Sequence, residues 1–543
     1  MRRNNNTLKL SLEGKYPEFL KEYKRTKNIT TSAQTVCENE NIKYSDSVRR
    51  IFSLLLSEKG ETELKNTPIE QTSEYKQILK NKVKKSKYYL ITQAQAETPI
   101  NTGFWENIKK YSEFIGAEII VQPSRYKNPT SLAANNRQKD KEKNKRLWPD
   151  ELQPYLQAKD VELNNYLTYL GSLKIQPTAV NPLSGVQGFT GLSSCIVPHP
   201  KVHLDACPVL KDYPEKLMLT TGSVTVPNYT DTKAGKKGEW EHEYGFVVVE
   251  IVDEDRFYVR QVIAKDNGDF YDLIYKVTEK GVEEDRNEET VVVFGDSHFG
   301  QHDEEAHDAA VEITKKLNAK NVVMHDVYNG LVINHHELNN PIRQLVNQAD
   351  GSKFESVFEE IDCMLGGLEW VSEDTKAKVH VVQSNHDLFL EKWLEKADLR
   401  TTPFKKEYVK LLNLLVDDRE SRKGIIKRMI DEHFSEEGGV QTYTVDDSFR
   451  VGDVELGFHG HLGGNGARGN VNSFRVLNTK TVTAHQHSPK RRGGAVVVGT
   501  LTLKELGYNK GASNWIHGVG VLYPNGKVSH IHIIDGKYTT FKI

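Results

Sequence analysis

The sequence predicts an α/β protein of several domains, and three observations carry that reading. The front of the chain is basic with helical spacing, a strand-helix-strand pattern begins near residue 88, and beyond residue 290 successive apolar strands each run into a polar cluster. At 543 residues the chain exceeds one ordinary core. Its 37% hydrophobic and 27% charged residues are a globular balance that excludes disorder along the whole length. No apolar run approaches the roughly 20 residues of a membrane span, and no signal-peptide stretch follows the basic start. The four cysteines, Cys37, Cys195, Cys207 and Cys363, are scattered without a Cys-x-x-Cys pair, which points to a reducing compartment. The expectation is a cytoplasmic protein with no membrane partner.

A helical domain is expected over residues 1–80. The first sixty residues hold twelve Lys/Arg against seven Asp/Glu, net +5 (12 minus 7) in a chain whose total is -2. Thr31 to Ile42 and Ser45 to Phe52 read as two short helices around a tight turn, with Val36, Ile42, Val48 and Ile51 facing inward. Asn41 tolerates the left-handed backbone such a turn needs, and Ser45 or Asp46 caps the second helix. This is a helix-turn-helix pattern presenting Lys43, Tyr44, Ser47, Arg49 and Arg50 to a DNA groove. A plain helical hairpin with a solvated basic face is the alternative. Residues 61–87 end in Lys82, Lys84, Lys85 and Lys87, as suits a linker or a phosphate-facing edge.

An accessory α/β module is expected over residues 81–285. Tyr88 to Thr92, Phe104 to Ile115 and Ala117 to Val121 form a β-α-β unit, and Arg137 to Arg146 is a mixed-charge exposed loop. Strands are expected at Leu217 to Val226, Tyr244 to Val252, Arg256 to Ile263 and Tyr271 to Val277. Thr220 to Thr225 and the Trp240-Glu-His242 segment read as turn formers beside strands rather than chemistry.

The chemistry lies in residues 286–543. Thr290 to Phe294 is a buried strand running into Asp296-Ser-His298, and Asn321 to Met324 delivers His325-Asp326-Val-Tyr-Asn329. Val379 to Gln383 delivers Ser384-Asn385-His386-Asp387, Val454 to Phe458 delivers His459-Gly-His461, and Lys480 to Ala484 delivers His485-Gln-His487. Ligands bind at the carboxyl ends of strands in α/β sheets, and alternate residues leaving a strand reach one site. One such cluster means little, but five in order match a dinuclear centre: carboxylates to neutralise two cations, an Asn oxygen, and imidazoles suited to Mn, Fe or Zn rather than Mg or Ca.

This order, Asp-x-His, Asp-x-x-Asn, Asn-His-Asp, His-Gly-His, His-x-His, resembles the calcineurin-like metallophosphoesterase family over residues of about 290 to 500. The resemblance implies a β-sandwich flanked by helices. It further implies one metal on Asp296, His298 and His487, Asp326 as the bridge, and a second metal on Asn385, His459 and His485. His459 is preferred to His461 because it lies nearer the strand end. His386 takes the place of the family's non-ligand histidine beside the scissile phosphate, oriented by Asp387, and hydrolysis proceeds by water activated between two cations. His325, Ser384 and Ala484 stand where glycine is common, and Asn329 where Asp or His is common.

The catalytic core alone does not choose a substrate. Lys490-Arg491-Arg492 reads as a basic loop at the mouth of the site, and the glycine-rich segment around Arg468 suits close approach to a phosphodiester, or is simply a structural turn. Leu388 to Lys396 and Phe404 to His433 form a helical insertion that caps the site or makes a subunit contact. Through the middle module together with the unusual variants His325-Asp-Val-Tyr-Asn329 and Ala484-His-Gln-His487, the whole chain also resembles the pre-early DNases of tailed bacteriophages that destroy host DNA. That implies a manganese-dependent, homo-oligomeric nuclease acting on DNA in the infected bacterial cytoplasm. A phosphatase or phosphodiesterase acting on a small molecule or protein, and a DNA-binding scaffold with a relic site, are the alternative readings.

Overall fold

The computed structural model describes residues 11–26, 29–58, 69–128, 146–334, 354–400, 402, 404–421, 424–434, 439–477, 479–506 and 509–540. The expected loop at Arg137 to Arg146 lies outside them except for Arg146. The chain divides into two compact units, Met1–Gln77 and Ile78–Ile543.

In the first unit, helices Tyr16–Thr26, Ile29–Asn39 and Asp46–Glu58 enclose a small core. Val36, Val48 and Ile51 are buried as their spacing predicts, Ile42 packs at the margin, and Phe19 stacks on Phe52 at 4.3 Å. Asn41 turns the chain with φ 57°, and Ser45 Oγ accepts from Val48 N at 3.4 Å to open the next helix. Arg50 is exposed and Arg49 half-buried.

The second unit begins with β1 (Tyr88–Gln95), helix Thr102–Ile115 and β2 (Ala117–Ser124), the two strands pairing in parallel. Asn101 caps the helix by accepting from Phe104 N, and Gly116 ends it with φ 67°. There follow β3 (Val161–Asn164), β4 (Leu167–Tyr169), β5 (Ser194–Val197), β6 (His203–Cys207) and β7 (Lys216–Thr220). The strand expected through Val226 stops at Thr220. Next come β8 (Gly245–Ile251) and β9 (Phe257–Ile263), completing a sheet of order β2-β1-β8-β9. Where one strand was expected from Tyr271, the chain makes β10 (Phe270–Asp272), β11 (Tyr275–Thr278) and β12 (Gly281–Glu284), because Leu273 adopts φ 54° and reverses direction.

The remaining strands are β13 (Val291–Asp296), β14 (Asn321–His325), β15 (Lys378–Val382), β16 (Val440–Tyr443), β17 (Arg450–Val451), β18 (Val454–Glu455), β19 (Lys480–Thr483), β20 (Lys490–Arg492), β21 (Ala495–Val497), β22 (Gly518–Leu522) and β23 (Val528–His532). Six form a sheet of order β16-β15-β14-β13-β22-β23, in which β13 to β16 are mutually parallel. The others join β3 to β7 in a ten-stranded sheet, β17-β18-β19-β21-β20-β6-β7-β5-β4-β3.

That long sheet is the spine of the unit. One apolar cluster joins Val291, Val293, Val323 and Val382 of the six-stranded sheet to Val454, Val482 and Val496 of the spine. Another joins Ile91, Ile120, Val247 and Val259 of the four-stranded sheet to Leu167, Ile196, Leu204 and Leu219 at the other end. Strands covered on both faces become near-continuous apolar runs, which is how β13 and β14 read. The boundary expected near residue 285 therefore falls inside a compact unit: β20 pairs with β6, carrying the spine across it. The helical insertion is present as Asp387–Lys396, Lys405–Ser421 and Ile425–His433. No helix of the described residues is long and apolar enough to cross a membrane.

Candidate metal centre

The polar clusters leave neighbouring strand ends. Asp296 is the last residue of β13, Asp326 follows β14, Asn385 and His386 follow β15, and His485 and His487 follow β19. Because β13, β14 and β15 are adjacent and parallel, their carboxyl ends open on the same side. The exits are sharp. His298, Asp326, His485 and His487 all have left-handed backbones, with φ of 45°, 49°, 69° and 55°. Such conformations cost of order 1–3 kcal/mol each for residues with a Cβ and cluster where function over-determines the backbone.

The side chains converge. His487 Nε2 lies 3.0 Å from Asp296 Oδ2, and His298 Nε2 lies 3.3 Å from Asp326 Oδ2. His459 spans the two carboxylates, with Nδ1 3.7 Å from Asp296 Oδ1 and Nε2 3.5 Å from Asp326 Oδ2. His485 donates its backbone N–H to Asp296 Oδ1 at 3.1 Å, and its ring lies 5.1 Å from that of His459. Two groups have ligand atoms close enough to share an ion: Asp296, Asp326 and His459, and His298, Asp326 and His386.

The donor set fits divalent cations. Asp296, His298, Asp326 and His459 are buried, yet neither ring nitrogen of His459, nor Asp326 Oδ1, nor Asn385 Oδ1, nor His487 Nδ1 makes a hydrogen bond. Buried lone pairs without donors are costly unless a cation takes them up. Burial pushes the His459 imidazole well below its ordinary range, and burial together with neighbouring His386 and His487 does the same to His298, so both are neutral donors near pH 7. Burial raises the Asp326 carboxyl, whereas in Asp296 the effect of burial is outweighed by His487, His459 and His298, which hold it low.

Of the two candidates after β18, His459 is the one between the carboxylates. His461 is half-buried beside His485, its ring 6.1 Å away. His386 sits closer than a purely peripheral residue, its ring 4.5 Å from that of His298. Its Nδ1 lies 2.8 Å from the backbone carbonyl of Asn329, which leaves Nε2 for the site. The expectation that Asp387 orients His386 is corrected: helix Asp387–Lys396 starts at that residue, and its carboxylate turns back to accept Ser384 N at 2.8 Å.

A second correction concerns the basic segment. Lys490-Arg491-Arg492 is not a loop at the mouth but strand β20 inside the spine. Arg492 Nη2 donates to both oxygens of Asp205 at 2.8 Å, and Arg491 Nη1 donates to the Val528 carbonyl at 2.7 Å. Both guanidiniums are buried and occupied, so they tie the sheet together rather than meeting a substrate. Lys490 is half-buried in the same strand. Arg468 is exposed, and its charge adds to burial and to neighbouring His487 and His386 in lowering the His485 pKa. Arg49 and Arg50 belong to the other compact unit.

Sequence reasoning missed three supports. Gln301 Oε1 accepts from Asn329 Nδ2 at 2.8 Å, Trp515 packs its ring 4.1 Å from that of His487, and Thr500 and Leu501 donate to the Asp296 carbonyl. Trp515 carries no local signal, being far along the chain from His487. Gly295 marks the crowding around Asp296, since a Cβ there would lie 2.5 Å from the Gly499 carbonyl oxygen.

Comparison with known proteins gives one relative to set beside this geometry. The chain is 29% identical over 473 residues to Protein A1 of Escherichia phage T5, covering 84% of this chain and 83% of that protein. No family profile and no solved structure matches the chain.

Proposed function

We propose that the chain is a two-metal phosphodiesterase that cuts DNA. The observation carrying this reading is the buried pair Asp296 and Asp326 bridged by His459, with His298 against Asp326 and His487 against Asp296. Asp296, His298 and His487 would hold one cation, Asn385, His459 and His485 the other, and Asp326 both. Two such cations would supply charge for the phosphate and would lower the pKa of an attacking water. Manganese suits this mixture of carboxylate, amide and imidazole, with iron or zinc as alternatives.

The protein's own part is positional. His386, fixed through Nδ1, turns Nε2 toward the space beside His298, where its imidazolium form would donate to a phosphate oxygen or to the leaving alkoxide. Phe389 of the helical insertion packs 4.6 Å from it and walls one side against water. Arg468 takes a flanking phosphate. The exposed Arg50 of the N-terminal helices and Lys43 of the turn before it add sequence-independent affinity for DNA. Similarity to a phage protein supports action in the cytoplasm of an infected bacterium.

The test is cleavage of circular, linear and single-stranded DNA, with manganese and with chelator, beside hydrolysis of p-nitrophenyl phosphate. Manganese-dependent DNA cleavage that is lost in Asp326→Ala, with the bound metal, is expected. Hydrolysis of the small ester with DNA left intact would replace this reading by a phosphatase. Full cleavage by Asp326→Ala would remove the metal centre from the chemistry.

A further inference from the structure

One buried carboxylate is left unused by the metal centre. Glu360 stands in the first turn of helix Val357–Thr375, and among the described residues no cation pairs with it. Its oxygens accept from backbone N–H groups instead, Oε1 from Leu331 N at 2.7 Å and Oε2 from Val332 N at 3.2 Å. Burial pushes the carboxyl up to about 7, against the N–H groups of Leu331, Val332 and Gly330, which act to lower it. An ionisable group is costly in such a place beside an apolar one, and shifted groups of this kind gather at functional sites.

The amides that Glu360 holds belong to the loop that aims His386. A trans peptide is planar, with its C=O and N–H pointing in opposite directions. In the peptide joining Asn329 to Gly330, the carbonyl accepts from His386 Nδ1 at 2.8 Å while the N–H lies toward Glu360. One plane thus connects the carboxylate to the imidazole. Around it the His386 ring meets the rings of His298 at 4.5 Å and Phe389 at 4.6 Å, apolar contacts that do not choose which nitrogen carries the proton. The carbonyl does choose, because it can only accept. The helix bearing Glu360 is itself seated against the other exit loop, since a Cβ at Gly367 would lie 2.4 Å from the ring of Phe299, the residue after His298.

We infer that Glu360 is a positioning residue for His386, gripping through the N–H groups of residues 330–332 the peptide whose carbonyl fixes the imidazole. A carboxylate offers acceptors to several N–H groups at once, whereas a carboxamide in its place would turn an N–H donor toward one of them. What His386 does rests on the proposed phosphodiesterase reading; how it is held does not.

Carbon-13 spectra of the full chain labelled at histidine Cδ2, taken metal-free and above the ordinary histidine pKa, report the tautomer without any turnover. The His386 signal, identified by its loss in His386→Ala, should show the proton on Nδ1. Glu360→Gln should move that signal toward the other tautomer and leave the histidines outside the metal centre unmoved. With manganese and DNA, Glu360→Gln should lower kcat by roughly 10–10²-fold, since misplacement of a reacting group is felt steeply, with KM and metal content kept. Combined with His386→Ala it should add almost nothing to the loss that His386→Ala already causes. An unmoved His386 signal, or an equal loss in both backgrounds, as a plain structural cap would give, would overturn the inference. The expected spectra without DNA cleavage by the unaltered chain would uphold the grip on His386 and count against the phosphodiesterase reading instead. Should Glu360→Gln not fold, Glu360→Asp, one methylene shorter, decides by the same two measurements.

Discussion

His386 is aimed by a backbone carbonyl, and that separates it from the residue next to it. Its imidazole depends on Asn329 O, whereas the Asp387 carboxylate serves the turn by accepting from Ser384. An amide retains that acceptor, so Asp387→Asn should keep kcat within about five-fold. Under the proposed function, His386→Ala should lower kcat by roughly 10²–10⁴-fold, with metal content unchanged. Single-turnover cleavage together with metal analysis of both variants checks the pair; equal losses would return Asp387 to the orienting role. Asp296, His298, Asp326 and His459 were legible in the sequence because each residue type follows an apolar strand directly. The partner of His386 was not legible, since any residue supplies a carbonyl and only the backbone path of the loop after β14 brings this one near.

At the scale of elements, β20 shows how composition misleads. Three consecutive cations look like a phosphate clamp, yet alternate pairing with β21 and β6 places Arg491 and Arg492 inside the sheet. Burial pushes the Arg491 guanidinium down to about 10, a sign of how little water reaches it. Arg492→Ala leaves Asp205 without its bidentate partner, and breaking a buried pair in this way costs about 3–5 kcal/mol. Chemical denaturation should show that loss, with KM for DNA unaltered in the folded fraction. Arg468→Ala should do the reverse, raising KM several-fold with no change in denaturation midpoint. The pair of N-terminal helices and the turn between them was readable because its signals are local: Asn41 in the turn, Ser45 at the cap, and apolar residues at helical spacing.

For the whole molecule, continuity of the ten-stranded spine sets where the chain can be cut. A fragment of residues 78–543 should fold, by circular dichroism and resistance to proteolysis, and retain metal-dependent hydrolysis. A fragment of residues 286–543 loses β6, the partner of β20, and should be insoluble or protease-sensitive. Histidines outside the metal centre set the acid limit. Burial pushes His199 and His307 down to about 3, His203 to about 2, His242 to about 4 and His530 to about 3. The unfolded chain protonates these groups near pH 6.5 while the folded chain does not. Stability present above that pH is therefore lost as the pH falls toward 3, by up to about 1.4 kcal/mol per pH unit for each histidine. Thermal unfolding between pH 7 and 4.5 should show a steady fall in midpoint; a flat profile would mean that these imidazoles are protonated in the folded protein.

By itself the sequence determined the order and type of the residues of the candidate metal centre, the α/β class and the basic helical front, since these rest on periodicity and neighbours a few residues apart. Tertiary structure alone decided that the middle and C-terminal segments share one sheet, that Arg491 and Arg492 face inward, and which of His459 and His461 stands between the carboxylates. Strand pairing is the physical reason. A strand's apolar pattern records that it will be covered, but the partner that covers it, here β6 for β20 across nearly three hundred residues, is chosen only when the whole chain packs.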